Sequence, residues 1–152
     1  MHDLINILSV DLTICNYNEC SNKKQLLEQI SHLAHHDNQG IKYQEVLSTL
    51  QRRERLGSTA IGHGVAIPHA RIPNLERPIC TLLTLNKAIE FDRADTVAVD
   101  LVFGLLVSEN ANNDHLKILA SLVEKLKSKP YREKLRRATT NTELYQIAIQ
   151  GA

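Results

Sequence analysis

Tryptophan is absent from this chain, and two phenylalanines and four tyrosines are its only large aromatics. That scarcity argues against the stacking platforms on which nucleic-acid bases rest. An excess of one charge is missing too. Eighteen Lys and Arg stand against seventeen Asp and Glu, a formal net charge of +1, so neither a nucleic-acid nor an anionic-membrane partner is called for. Cysteine is sparse: Cys15, Cys20 and Cys80 form no C-x-x-C pair. An odd, unpaired set reads as reduced thiols of a cytosolic protein. Cys15 and Cys20 could chelate a metal, but no second pair completes a site. No basic flank followed by a long apolar run opens the chain, and no window reaches transmembrane length. Neither a signal peptide nor membrane insertion is expected, and the location expected is cytoplasmic. The phosphate-loop pattern G-x-x-x-x-G-K-[ST] and the zinc-hydrolase pattern H-E-x-x-H are both missing.

The 152 residues fit one domain, residues 1–152, large enough to bury a core without staples. Leu4, Ile5, Ile7, Leu8 and Val10 would pack an N-terminal arm onto the body, and Leu12-Thr13-Ile14 alternates like a short strand. Ser21 is placed to cap a helix carrying Leu26, Leu27, Ile30, Leu33 and Ala34 on one face, which ends in the polar run His35 to Gly40. A second helix is predicted from about Tyr43 to Arg55, ended by Gly57. Strands are predicted over Ile79–Leu85 and Val97–Val107, joined by a turn at Ile89-Glu90-Phe91-Asp92 that buries Phe91. The second strand is a near-continuous apolar run, as a central strand covered on both faces would be. Asn110 to Asp114 reads as a polar loop opening a helix with Leu116, Leu119, Leu122, Val123 and Leu126 inward, ended by Pro130. A short helix follows over Tyr131 to Arg137. Thr140 and Glu143 have capping-box spacing and start the last helix. Strands alternate with helices throughout, so the fold class is α/β.

One stretch organises the rest: Gly62-His63-Gly64-Val65-Ala66-Ile67-Pro68-His69. It reads as a glycine-bracketed turn, a short apolar strand, and a proline that stops the strand. His69 is left at the strand's end and begins a loop that runs to Pro78. Loop residues held by a rigid scaffold carry function more often than core residues do, although a solvated histidine at a strand end has the same pattern. His115 falls in the first turn of the helix after the longest strand, where backbone N–H groups and the helix dipole favour an anion. His69 and His115 would meet if their strands are neighbours that share a direction. Two histidines beside a helix N-terminus suit transient custody of a phosphoryl group, since a neutral imidazole nitrogen can attack phosphorus. The other ring nitrogen of His69 then needs an acceptor to fix the tautomer. A nearby cation should offset the phosphate charge, and Arg53 is the candidate within the basic helix end Arg52, Arg53, Arg55.

The run Arg53-Glu54-Arg55-Leu56-Gly57-Ser58-Thr59-Ala60-Ile61 and the stretch from Gly62 to His69 that follows it resemble a known signature. It is that of the mannitol/fructose-type enzyme IIA proteins (EIIA type-2) of the bacterial phosphoenolpyruvate-dependent phosphotransferase system. Ile89-Glu90-Phe91-Asp92, Val99-Asp100-Leu101-Val102-Phe103 and His115-Leu116-Lys117-Ile118-Leu119 resemble the family as well, so the similarity spans nearly the whole chain. The stand-alone length looks most like the nitrogen-regulatory branch (EIIA-Ntr, PtsN-like). The resemblance implies a mixed β-sheet flanked by helices and a phosphoryl carrier rather than a stand-alone turnover enzyme, with no cofactor. His69 matches the phosphorylated histidine, modified at its tele nitrogen; His115 matches a second histidine that contacts the phosphoryl group; Arg53 matches an arginine that stabilises it. The implied partners are a histidine phosphocarrier of the HPr or NPr kind and a downstream regulated protein, linked to nitrogen or potassium, or an EIIB component if the chain serves a fructose- or mannitol-type sugar. Two positions depart from the common pattern. Ser108 stands where many members have proline, and Ala70 where glycine is frequent; both are expected to change only local loops.

Rival readings remain. His63, His69 and His115, or His32, His35 and His36, could in principle hold zinc, as a metal hydrolase would require. No carboxylate base accompanies them, and a helix C-terminus explains the second group more simply. His63 itself reads as a turn residue near the site rather than a third catalytic group. The basic segment Lys125 to Lys129 and Arg132 to Arg137 is interleaved with Glu124, Glu133 and Glu143, as on a solvated helix face. A pure binding module, switched by phosphate on His69, is the serious alternative to a relay. On either reading the donor would dock a convex surface around His69, with Ile72 and Leu75 as candidate contacts.

Overall fold

The computed structural model describes residues 4–91, 97–110 and 113–150. In chain order, a helical turn α1 (Leu4–Ile7) and a 3-10 turn (Val10–Leu12) lead into β1 (Thr13–Tyr17). Helices α2 (Lys23–Asp37) and α3 (Tyr43–Leu56) follow, then three short strands, β2 (Ala60–Gly62), β3 (Val65–Ala66) and β4 (His69–Ile72). Two long strands, β5 (Ile79–Ile89) and β6 (Val99–Ser108), precede the helices α4 (Asp114–Leu126), α5 (Lys129–Arg137) and α6 (Asn141–Gln150). Among the described residues the strands make one six-stranded mixed sheet in the order β1-β5-β6-β3-β2, with β4 also on β6.

β6 is the central strand, as its apolar run predicts. One edge pairs antiparallel with β5. The other edge is shared by β3 and β4, both parallel to β6, with Val65 opposite Leu101 and His69 opposite Leu105. The two short strands therefore keep one register along β6. Pro68 does not end the pairing, contrary to the sequence reading. The ladder uses its carbonyl, which accepts from Leu105 N at 2.9 Å, so its missing N–H is not needed. His69 accordingly opens a strand, and the loop to Pro78 begins only after Ile72.

The predicted helices form, with shifted ends. Asn22, not Ser21, caps α2: its side chain accepts from Gln25 N at 2.9 Å, while Ser21 N donates to Gln25 Oε1 at 2.8 Å. Such a cap contributes roughly 1 kcal/mol. Leu26, Leu27, Ile30 and Ala34 are buried as expected. β5 runs past Leu85 because Asn86, Lys87 and Ala88 continue it outside the core, where the apolar signal ends. The turn predicted after Ile89 keeps Phe91 buried, with Lys23 Nζ 4.5 Å from its ring centroid; Asp92 lies outside the described residues. Ala111 and Asn112 of the predicted loop lie outside them too.

Two expectations about α4 fail. Leu116 is 55 % exposed, and Ile118 is buried with Leu122 and Leu126 instead. Pro130 belongs to the first turn of α5, while α4 has already stopped at Leu126. The buried Arg132 takes the end of α4: its Nη1 donates to the carbonyls of Leu126 at 2.8 Å and Lys127 at 3.0 Å. The capping box before α6 is present, with Glu143 N on Thr140 Oγ1 at 3.1 Å, but its return bond comes from Thr139 N at 2.7 Å.

Candidate functional site

Strand periodicity builds one wall of the site. In β4, Ala70 and Ile72 are buried, while His69 and Arg71, two residues apart, share the other face. Their partners on β6 are Leu105 and Val107. α3 packs over this face and brings Arg52, Arg53 and Leu56; α4 brings His115, Leu116 and Leu119. Together they enclose an open, mostly apolar hollow of about 460 Å³. The parallel neighbours required for His69 and His115 to meet are found in β4 and β6, and both imidazoles line the hollow.

His69 is addressed at both ring nitrogens. Nδ1 lies 2.8 Å from the carbonyl oxygen of Ile67. A carbonyl only accepts, so Nδ1 carries the proton and Nε2 keeps its lone pair. Arg53 Nε donates to that Nε2 at 3.3 Å, and Arg53 Nη1 donates to the Gly57 carbonyl at 2.8 Å. Burial pulls the His69 pKa below the ordinary 6.5, with the Ile67 carbonyl acting against the fall and the Arg53 guanidinium adding to it. At neutral pH the ring is therefore uncharged, and its lone-pair nitrogen faces a cation.

Across the hollow, Arg71 Nη2 donates to His115 Nε2 at 2.6 Å. Behind Arg53, the Glu54 carboxylate is 5 % exposed and pairs with Lys23 Nζ at 3.1 Å. It also accepts from the N–H of Thr59 at 3.1 Å and from the Thr59 hydroxyl.

The profile of the family described as "Phosphoenolpyruvate-dependent sugar phosphotransferase system, EIIA 2" matches residues 6–150. The chain belongs to this EIIA type-2 family. It is 40 % identical over 127 residues to the nitrogen regulatory protein of Pseudomonas aeruginosa, covering 84 % of this chain and 82 % of that one. Against the nitrogen regulatory protein of Klebsiella oxytoca, identity is 37 % over 149 residues, with 97 % and 91 % coverage. The crystal structure of the nitrogen regulatory protein IIA-Ntr from Neisseria meningitidis matches with a TM-score of 0.85 at 34 % identity, covering 96 % of this chain and 99 % of that one. The nitrogen-regulatory likeness read from the sequence is thus shown, as is the mixed-sheet fold.

In this EIIA type-2 chain the structure brings His69, His115 and Arg53 to one hollow, and it leaves His63 out. His63 sits in the β2–β3 turn at φ 58°, between Gly62 at φ 93° and Gly64 at φ 74°. That turn lies at the Leu101 end of β6, about 13 Å along the strand from Leu105 at ~3.3 Å per residue, so the expectation that it stands near the site is corrected. Only glycine fits at Gly64, where a Cβ would meet Arg136 Nη2 at 2.9 Å and the Ala98 carbonyl at 3.2 Å. Arg136 locks the turn instead, donating to the His63 carbonyl and, at 3.0 Å, to Asp100 Oδ1.

Ile72 and Leu75 are core residues, 0 % and 3 % exposed, so they are not donor contacts. The exposed apolar residues at the hollow are Leu56 at 85 % and Leu116 at 55 %. The surface at His69 is concave, not convex. Sequence reasoning missed Arg71 because it treated residues after Pro68 as loop. Alternation from His69 would have placed Arg71 beside it. Among His32, His35 and His36, His32 stacks on Tyr43 with centroids 4.3 Å apart, and His35 Nδ1 contacts the Ile41 carbonyl at 2.7 Å. Among the described residues no group of three His, Cys, Asp or Glu is arranged to hold a metal, and no helix is long and apolar enough to cross a membrane.

Proposed function

We propose that this protein is a phosphoryl carrier of the phosphotransferase system, with His69 as the acceptor. The observation that carries the reading is the fixed tautomer of His69, with Nδ1–H on the Ile67 carbonyl and Nε2 facing Arg53 across 3.3 Å. The Nε2 lone pair attacks the phosphorus of a phosphohistidine on an HPr- or NPr-type donor. The donor's P–N bond breaks, and its electron pair stays on the donor imidazole. No proton moves on His69, because Nδ1 already carries it. The product is a tele-phosphohistidine, with Arg53 and His115 placed to hold the transferred oxygens. This phosphoryl transfer needs positioning and charge, and no metal is asked for.

The donor presents a convex surface to the hollow, with Leu56 and Leu116 as its apolar contacts. The output is a nitrogen- or potassium-linked regulated protein in the cytoplasm, in keeping with relatives named as nitrogen regulatory proteins. A dianionic group on Nε2 changes the charge of this surface without changing the fold, so relay and switch are compatible.

The test is incubation with phosphoenolpyruvate, enzyme I and a histidine phosphocarrier, followed by intact mass. One acid-labile phosphoryl group is expected on the wild type and none on His69→Ala. Labelling of the folded His69→Ala protein would overturn the site assignment.

A further inference from the structure

We propose that Glu54 is a positioning residue for His69, acting through the turn between α3 and β2; the inference rests on phosphoryl transfer at His69. Glu54 stands at the end of α3 and reaches across the turn to clasp Thr59, accepting from its N–H at 3.1 Å and from its hydroxyl. Thr59 is itself buried. Both nitrogens of His69 depend on what this clasp holds. The Thr59 carbonyl accepts from Ile67 N at 3.0 Å, and the other side of the Ile67 residue, its carbonyl, takes His69 Nδ1–H at 2.8 Å. Within the same turn, the Gly57 carbonyl takes Arg53 Nη1 at 2.8 Å, which sets the arginine whose Nε meets His69 Nε2. One carboxylate thus fixes the turn that sets the tautomer on one side of the ring and the cation on the other. Glu54 makes no hydrogen bond to either ring nitrogen, and its charge acts on the imidazole only from a distance, against the fall in the His69 pKa. Among the described residues the same carboxylate also pairs with Lys23 Nζ on α2 at 3.1 Å, which ties α2 to α3.

Two roles are separable: clasping Thr59, which any well-placed acceptor oxygen performs, and pairing with Lys23, which needs the charge. Glu54→Gln keeps the length and an acceptor oxygen but loses the charge. Glu54→Asp keeps the charge but is one methylene too short to hold both ends of the turn. Glu54→Ala loses both. The readouts are the single-turnover rate of phosphoryl acceptance from a charged histidine phosphocarrier, and the His69 tautomer from ring nitrogen shifts in the full chain. Misplacement of reacting groups by about 1 Å costs on the order of 100-fold. Glu54→Ala and Glu54→Asp are therefore expected to slow acceptance by roughly 10- to 100-fold and to mix the two tautomers, whereas Glu54→Gln stays within about 3-fold with Nδ1–H retained. A purely structural ion pair predicts the reverse order, Gln worse than Asp, and no change of tautomer; that result would overturn the proposal. So would wild-type rates in folded Glu54→Asp. Should Glu54→Ala not fold, the Gln and Asp variants still decide. Failure of the underlying reading is distinct, since the wild type itself would then accept no phosphoryl group.

Discussion

His69 donates through Nδ1 to the carbonyl of Ile67, two residues earlier and 2.8 Å away, across the proline that separates them. Pro68 has no N–H and a fixed φ, and it holds that carbonyl turned back toward the ring. The consequence is a histidine whose lone-pair nitrogen is chosen by the backbone.

That arrangement has a pH signature. Burial lowers the pKa of His69 from 6.5 in the folded chain. Below pH 6.5 the unfolded chain binds the proton more readily than the folded one. The stabilising effect of keeping His69 neutral is thus present above pH 6.5 and is lost as pH falls through the folded value. Urea midpoints measured from pH 7.5 to pH 5 should fall more steeply for the wild type than for His69→Gln. An imidazole titration midpoint above 6.5 would contradict the account.

Arg53 should not be replaceable by lysine. Its guanidinium spans two acceptors, Nε to His69 Nε2 and Nη1 to the Gly57 carbonyl, a fork that an ammonium cannot reproduce. Arg53→Lys is expected to slow phosphoryl acceptance by about 10-fold or more, read as a single-turnover rate, with the thermal midpoint little changed.

Arg71 helps to orient His115, its Nη2 lying 2.6 Å from the ring's Nε2. His115→Ala should slow transfer while leaving the fold intact. Arg71→Ala should reproduce part of that loss, on the order of several-fold. The double variant should be no slower than His115→Ala alone, because Arg71 acts through the imidazole. Rate losses that multiply would show an independent role for Arg71.

On the proposed function, the exposed leucines at the hollow serve docking rather than chemistry. Leu56→Ser and Leu116→Ser should raise the KM for the charged donor by roughly 10-fold, as loss of an apolar interface anchor does. The rate at saturating donor and the urea midpoint should change little, because both side chains are more than half exposed. A fall in the saturated rate with KM unchanged would place them in the transfer step instead.

A stability prediction comes from the centre of the sheet. Gly104 faces Thr81 across the β5–β6 pair, and a Cβ there would collide with Thr81 Oγ1 and approach Ile30 Cγ2 at 3.0 Å. Gly104→Ala should destabilise the protein by about 1–3 kcal/mol through overpacking. Thr81 Oγ1 is buried and has no hydrogen-bond partner among the described residues, so trimming it removes an unsatisfied group as well as the clash. The Gly104→Ala/Thr81→Ala double variant should be more stable than the sum of the single losses predicts, as urea unfolding of the four proteins would measure.

Local chemistry made much of this protein legible in its sequence. Gly57 past the end of α3, the Thr140–Glu143 spacing before α6 and the apolar run of β6 each act within a few residues, so pattern alone located them. The same holds for the Gly62-to-His69 stretch, in which a histidine directly after a proline is presented at a sheet. What pattern could not supply was direction across long separations. Whether residues after Pro68 continue as a strand is decided by pairing with β6, 36 positions away in register. That pairing puts Arg71 on the face of His69 and buries Ile72. Leu116 carries the same apolar signal as Leu122, yet only the packing of α4 leaves Leu116 at the mouth of the hollow. The Ile67 carbonyl and the Glu54 clasp are backbone and turn geometry, with no motif of their own to announce them. The order of residue types shows which side chains could attack, bind an anion or pack. The tertiary structure decided which of their atoms face one another, because that depends on strand register and helix rotation fixed by contacts from distant parts of the chain.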